Sequence, residues 1–243
     1  MEYTQRDMMR RLPKATHVDR TEFLRSVARS KTVIHVGFVD AGYEREQRNA
    51  GSWLHQDLAR VAKHIVGVDI NERGIRRAIS DGYEAYQIDL SDPSADVSQL
   101  PFDADVVIAG EVIEHVENVG AFVRGIARVA SLETKIVFTT PNSSSILQAV
   151  LAFAGREVCH PDHVVSFTPS TLPGLLERCG LELESMATYS SKVRLDTAGE
   201  GGRAVALVGR FALFCERILA RYVSAHVASG LIVVARKSSL NLI

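Results

Sequence analysis

The chain has 243 residues, 46% apolar and 23% charged, which is enough for a large α/β core and ordinary for a globular fold. A formal net charge of −1 excludes the strong basic bias of a nucleic-acid binder, and no stretch is long and apolar enough to span a bilayer. The three cysteines, Cys159, Cys179 and Cys215, lie far apart without zinc-ligand spacing, and residues 1–14 are charged throughout with no apolar signal region, so a reduced, cytoplasmic setting is expected.

A leading helical segment, residues 1–30, carries Phe23, Leu24 and Val27 as its inward face. The run Val33-Ile34-His35-Val36-Gly37 then reads as a buried parallel strand at about 32–37, and Gly37 lets the backbone come close to a ligand at its tip. Gly37 to Trp53 is longer than the usual two to six residues of such a connection. With Asp40, Glu44, Arg45, Glu46 and Arg48 in it, this stretch reads as a lid or as a decorative helical turn. A helix is expected over 53–63, with His55 facing a pocket or simply packed or solvated. The next strand, about 64–69, ends in Val66-Gly67-Val68-Asp69-Ile70. A carboxylate there can take both hydroxyls of a ribose, or it can cap the helix Glu72–Ser80.

Strands follow at 84–88 and 104–109 around a polar loop, 91–101, and a helix at 119–130 leads to a fifth strand, 135–139, ended by Pro141. A helix starts near Ser144, the loop 157–167 leads to another at 169–179, and 181–189 and 231–235 are the last two strands. Alternation of this kind predicts one α/β domain over 1–243. Its sheet is seven-stranded, mostly parallel and doubly wound, with a helical insertion, 190–229, before the last strand. In the insertion, Leu207, Val208, Phe211, Cys215, Ile218, Leu219 and Tyr222 recur at helical spacing, with Arg203, Arg210, Arg217 and Arg221 opposite. The favoured reading is a cap helix that packs its apolar face on the core; the alternative is a surface for anionic lipid or a phosphate-bearing substrate. Gly199-Glu200-Gly201-Gly202 before it reads as a hinge.

Three further segments carry a family resemblance. Asp103-Ala104-Asp105-Val106-Val107-Ile108-Ala109-Gly110-Glu111-Val112-Ile113-Glu114-His115-Val116, Thr139-Thr140-Pro141-Asn142, and His163-Val164-Val165-Ser166-Phe167-Thr168-Pro169 resemble class I S-adenosylmethionine-dependent methyltransferases of the Rossmann-like fold. Within that class the likeness is to small-molecule O-methyltransferases of the ubiquinone-biosynthesis type. The first motif departs from the family's acid-x-Gly-x-Gly-x-Gly: His35 stands where the acid is usual and Val39 where the second glycine is. Asp40 can supply the lost charge from the loop.

The resemblance implies S-adenosylmethionine as cofactor, with His35, Gly37, Phe38 and Asp40 around its methionine part and Asp69 on its ribose. Ile70 would lie on the adenine, Asp89 would take the adenine amino group with Leu90 offering backbone, and Glu111 would lie beneath the sulfonium. Asp89, with Ser91 and Asp92, also reads as a plain turn. Glu111, Glu114 and His115, with His160 or His163, resemble the divalent-metal site of small-RNA 2′-O-methyltransferases and of some ubiquinone-type enzymes. The favoured expectation is metal-free, with His115, His163 and His160 as catalytic candidates, because imidazole titrates near neutral pH. The expected acceptor is a small-molecule hydroxyl, of a sugar or natural product. N-methylation, an NAD-dependent oxidoreductase and a degenerate domain serving as a partner are the alternatives. The acceptor's identity and the oligomeric state are not written in the sequence.

Overall fold

Period-two alternation sorts the apolar residues of the central strands onto two layers. In the computed structural model, which describes residues 11–40, 53–101, 103–191 and 202–239, the strands are β1 (Ala15–His17), β2 (Thr32–Val36), β3 (His64–Asp69), β4 (Glu84–Gln87), β5 (Val106–Gly110), β6 (Lys135–Pro141), β7 (Leu181–Tyr189) and β8 (Gly230–Lys237). They form one sheet in the order β1-β7-β8-β6-β5-β2-β3-β4. β8 is antiparallel to β6 and β7, and every other pairing is parallel. The helices are α1 (Arg20–Ala28), α2 (Leu54–Ala59), α3 (Glu72–Ser80), α4 (Val119–Val129), α5 (Ile146–Ala152), α6 (Thr171–Arg178) and α7 (Gly202–Tyr222).

Ile34, Val36, Val68, Val107, Ala109 and Phe138 face one way and pack against Phe122, Val123 and Ile126 of α4 and Leu172 and Leu176 of α6. Val33, Val106, Ile108 and Val137 face the other way, onto Leu24 and Ala28 of α1 and Leu54 and Leu58 of α2. Short polar side chains start the helices. Asp19, Asn71, Asn118 and Ser145 each accept a hydrogen bond from the backbone N–H three residues on, satisfying a donor the helix leaves unpaired.

The chain runs β2, β3, β4 toward one edge, then returns to place β5 and β6 on the other side of β2. Such a reversal opens a crevice beyond the strands' C-terminal ends. Gly37, Asp69 and Glu111 follow or end the three strands that meet there. Gly37 has φ +69°, and a Cβ on it would sit 2.6 Å from Val112, so both its backbone angle and its contact with the segment after β5 require glycine.

Two expectations are corrected. The sheet has eight strands, not seven, because Ala15–His17 lies within the expected leading helix yet pairs parallel with Met186–Thr188 of β7. Three residues show no period, and only the partner strand makes them extended. The second correction concerns α7. Its predicted apolar face is turned outward, with Leu207, Val208, Phe211, Ile218 and Tyr222 exposed, while Gly209, Ala212, Leu213, Glu216 and Ala220 face the protein. Leu213 and Ala212 join Leu147 and Leu151 of α5 in one cluster. Small residues let two helices approach closely, and that outweighed the larger apolar stripe. The expected lid lies mostly, and the glycine hinge almost wholly, outside the described residues.

Gly125 of α4 passes so close to the turn after β4 that an added Cβ would sit 1.8 Å from the Leu90 carbonyl oxygen. Gly125→Ala is expected to cost about 1–3 kcal/mol, seen as a lower midpoint in urea unfolding.

Candidate functional site

Asp69 ends β3 with its carboxylate aimed back over the crest. Oδ2 accepts from Val39 N at 3.0 Å and Oδ1 from Asn71 N at 2.9 Å, so it ties the loop after β2 to the start of α3. The cap of α3 is Asn71, not Asp69. Ile70 beside it is 67% exposed, an apolar surface without a cover. Asp89 is exposed, and its Oδ1 accepts from Ser91 N at 2.8 Å, the turn geometry of a short Asx motif. Leu90 is buried.

The loop after β2 divides into a packed part and a charged part. The Phe38 ring lies against Gly67 and Trp53, and the indole Nε1 donates to the Phe38 carbonyl at 2.8 Å, so the phenyl belongs to the core. His35 is equally buried and stacks on His55, with their Nδ1 atoms 3.1 Å apart. One ring donates and the other accepts. Burial, then His55, holds His35 well below its ordinary value, so it is neutral and does not replace the family's acid. His55 is packed rather than facing a pocket. Asp40 differs: its φ is +53°, and burial pushes its carboxyl up to about 6 against the opposing pull of Arg20.

Around Glu111 stands a buried polar network that the sequence does not announce. Glu111 leaves β5 in the left-handed region, φ +57°, which a non-glycine residue occupies only where neighbours hold it. Its Oε1 accepts from the Tyr189 hydroxyl at 2.5 Å and the Thr139 hydroxyl at 3.2 Å. Arg20 Nε donates to Thr139 Oγ1 at 3.0 Å. Burial works against the Arg20 charge, but Glu111, Tyr189 and Asp40 outweigh it and raise its pKa. Burial and Glu111 push the Tyr189 phenol well up, so it stays protonated and donates. The sequence pattern does not single out Arg20 or Tyr189. An arginine in the first turn of an amphipathic helix ordinarily faces water, and it opposes the helix dipole unless an anion answers it. No local pattern marks the exception.

The three histidines do converge. Val164 N and Val165 N donate to the Glu114 carbonyl at 2.9 and 3.2 Å, which docks the 160–165 loop beside the turn after β5. The His115 ring centroid is then 4.6 Å from that of His163 and 5.8 Å from that of His160. One ligand atom of each lies within 4.8 Å of the others. Burial first, then the neighbouring imidazoles, lowers the pKa of His115 and of His163, so both are neutral near pH 7. His163 Nε2 is 4.0 Å from Glu114 Oε1. Glu114 is buried, neither of its oxygens makes a well-formed hydrogen bond among the described residues, and burial with Glu111 raises its pKa. A groove of about 550 Å³ runs along α5, lined by Ser143, Ser144, Gln148, Arg156 and Glu157 among others. It does not include Asp69 or Glu111, so the crest is defined by strand ends rather than by this groove.

A family profile described as a methyltransferase domain matches residues 49–186, more than half of the chain. The chain belongs to that methyltransferase-domain family. Among curated relatives, ubiquinone biosynthesis O-methyltransferase of Azoarcus sp. (strain BH72) is 28% identical over 152 residues, 58% of this chain and 65% of its own length. The protein of the same description from Ralstonia nicotianae is 27% identical over 141 residues, 54% of this chain and 59% of its own length. The chain thus spans less than two thirds of the curated relatives it matches. In fold it resembles magnesium protoporphyrin IX methyltransferase from Synechocystis PCC 6803, solved with bound SAH, at TM-score 0.53 and 15% identity over 90% of this chain and 83% of that one. It also resembles an S-adenosylmethionine-dependent methyltransferase from Archaeoglobus fulgidus, at TM-score 0.51 and 16% identity over 89% and 94%. The class I methyltransferase family expected from the sequence, and its Rossmann-like α/β fold, are those observed.

The His35–His55 pair sets an acid limit on the methyltransferase fold. The folded-state pKa of His35 lies below its ordinary 6.5, so its contribution is full above that pH and is lost as pH falls. Unfolding free energy is expected to drop by about 1.4 kcal/mol per pH unit below that value. Urea titrations at pH 7, 6 and 5 check this: His35→Leu combined with His55→Leu is expected to flatten the dependence.

Proposed function

We propose that this methyltransferase transfers the methyl group of S-adenosylmethionine to a hydroxyl of a small molecule, a sugar or natural product. The observation that carries the reading is Asp69, fixed at the crest by Val39 N and Asn71 N beside an uncovered Ile70. A carboxylate so held is oriented before a ribose arrives, which lowers the ordering cost of binding. Asp40, Glu111 and the protonated Tyr189 gather polar groups where the cofactor's charged amino-acid part would lie. The curated relatives are named O-methyltransferases, which favours oxygen over nitrogen as the acceptor. No Gly-x-Gly-x-x-Gly follows β2, which counts against a nicotinamide cofactor.

When bound, S-adenosylmethionine supplies an electrophilic methyl on a sulfonium, already a good leaving group. The protein's task is to hold acceptor oxygen and methyl carbon in line at about 3–3.5 Å and to accept a proton. A neutral imidazole of His115 or His163 would take the hydroxyl proton on its unprotonated ring nitrogen as the acceptor oxygen is methylated, the cofactor leaving as its thioether.

A second reading is favoured by the convergence of His115, His160 and His163 with ligand atoms within 4.8 Å of one another. Three imidazole side chains so placed suit a divalent transition metal, which would lower the acceptor hydroxyl's pKa. In the first reading, activity survives a chelator and falls on His115→Ala or His163→Ala. Activity lost to a chelator and restored by added metal would establish the second.

The cofactor assignment is tested by calorimetry. S-adenosylhomocysteine is expected to bind and NADH not to, and Asp69→Ala is expected to weaken binding by about 2–3 kcal/mol, the worth of charge-assisted hydrogen bonds. Unchanged affinity would refute the ribose role, and no binding at all would leave the degenerate-domain reading standing.

A further inference from the structure

The outward face of α7 is unlike the rest of the surface. At 3.6 residues per turn, Leu207, Phe211, Phe214, Ile218 and Tyr222 form one continuous stripe. Phe211 is 66% exposed and Tyr222 76%. The stripe lies opposite the buried face of Ala212, Leu213, Glu216 and Ala220, of which Ala212 and Leu213 pack on α5. Arg210, Arg217 and Arg221, expected on the opposite face, are all exposed and instead run along one flank of it, because the buried face of the helix lies opposite the stripe. The only carboxylate in the described side chains of this helix, Glu216, is turned inward, where its Oε1 accepts from Ser229 Oγ at 2.9 Å. Past the end of α5, on which α7 rests, Phe153 is 95% exposed. A contiguous apolar patch of this kind marks an interaction surface, whereas scattered single apolar residues do not.

We infer that α7 is a membrane-surface helix that lays its Leu207–Phe211–Phe214–Ile218–Tyr222 stripe into the interface of an anionic bilayer while Arg210, Arg217 and Arg221 meet the lipid phosphates. Charge decides the occupant. A second copy of the chain brings the same helix, which has no exposed carboxylate to answer the arginines, whereas an anionic leaflet supplies a phosphate to each. Aromatic and aliphatic side chains on one face with arginines at its edge are what an in-plane helix needs: the apolar groups enter the acyl boundary and the guanidinium groups stay at headgroup level. No helix among the described residues is long and apolar enough to cross a membrane, so this contact lies on the bilayer and does not span it.

The test is flotation of the full chain with phosphatidylcholine vesicles, with and without phosphatidylglycerol. The protein is expected to float with the anionic vesicles, to bind the neutral ones far more weakly, and to be released by salt. Replacing all three arginines, Arg210→Ala, Arg217→Ala and Arg221→Ala, is expected to weaken binding roughly a hundredfold. Phe211→Ser with Phe214→Ser is expected to abolish it. All these side chains are exposed, so far-ultraviolet circular dichroism should stay unchanged, and the cofactor need not be present. Absence of flotation, or flotation indifferent to phosphatidylglycerol and to the arginine variant, would overturn the inference. So would a concentration-dependent dimer in light scattering that disappears with Phe211→Ser, which would assign the stripe to a second copy.

Discussion

One carboxylate organises the crest of this sheet. Glu111 Oε1 takes the hydroxyls of Tyr189, from the end of β7, and Thr139, from β6, while Arg20, from the first turn of α1, reaches the same Thr139. Four segments far apart in the chain are thereby fixed around one half-buried carboxylate. Each partner matters to the others, because a polar group withdrawn from water and left without a hydrogen bond costs free energy. The left-handed backbone at Glu111 is the local cost of aiming that carboxylate inward.

The same arrangement explains how the protein manages without the acid usual at the end of its first long strand. His35 is neutral and spoken for by His55, so it offers no charge to a ligand. Asp40, in the loop, and Glu111, after β5, both raise the pKa of Arg20, so two acids and one cation share this end of the sheet.

The histidines and α7 show how backbone contacts and helix packing place chemistry that spacing leaves open. His115 and His163 are 48 residues apart by number and meet because two amides of the 160–165 loop are held by one carbonyl, that of Glu114. In α7 the periodicity was readable, but which face turns inward was not. Packing turned Gly209, Ala212, Leu213 and Ala220 inward, with Ala212 and Leu213 against α5, and left the large apolar stripe outside.

By itself the sequence determined seven of the eight strands to within a residue or two at most ends, the helix Glu72–Ser80, the insertion before the last strand, and the family. Buried parallel strands are continuous β-branched runs, and helices carry their own period and caps, so these signals are local. Strand-end residues such as Gly37, Asp69 and Glu111 were legible for the same reason, since their place follows once the strands are known. Only the tertiary structure decided β1, whose three residues become a strand by pairing with β7. The same holds for the recruitment of Arg20 and Tyr189 and for the outward face of α7. Each depends on contacts between residues distant in the chain, and neither propensity nor periodicity carries information about a partner that folding alone brings near.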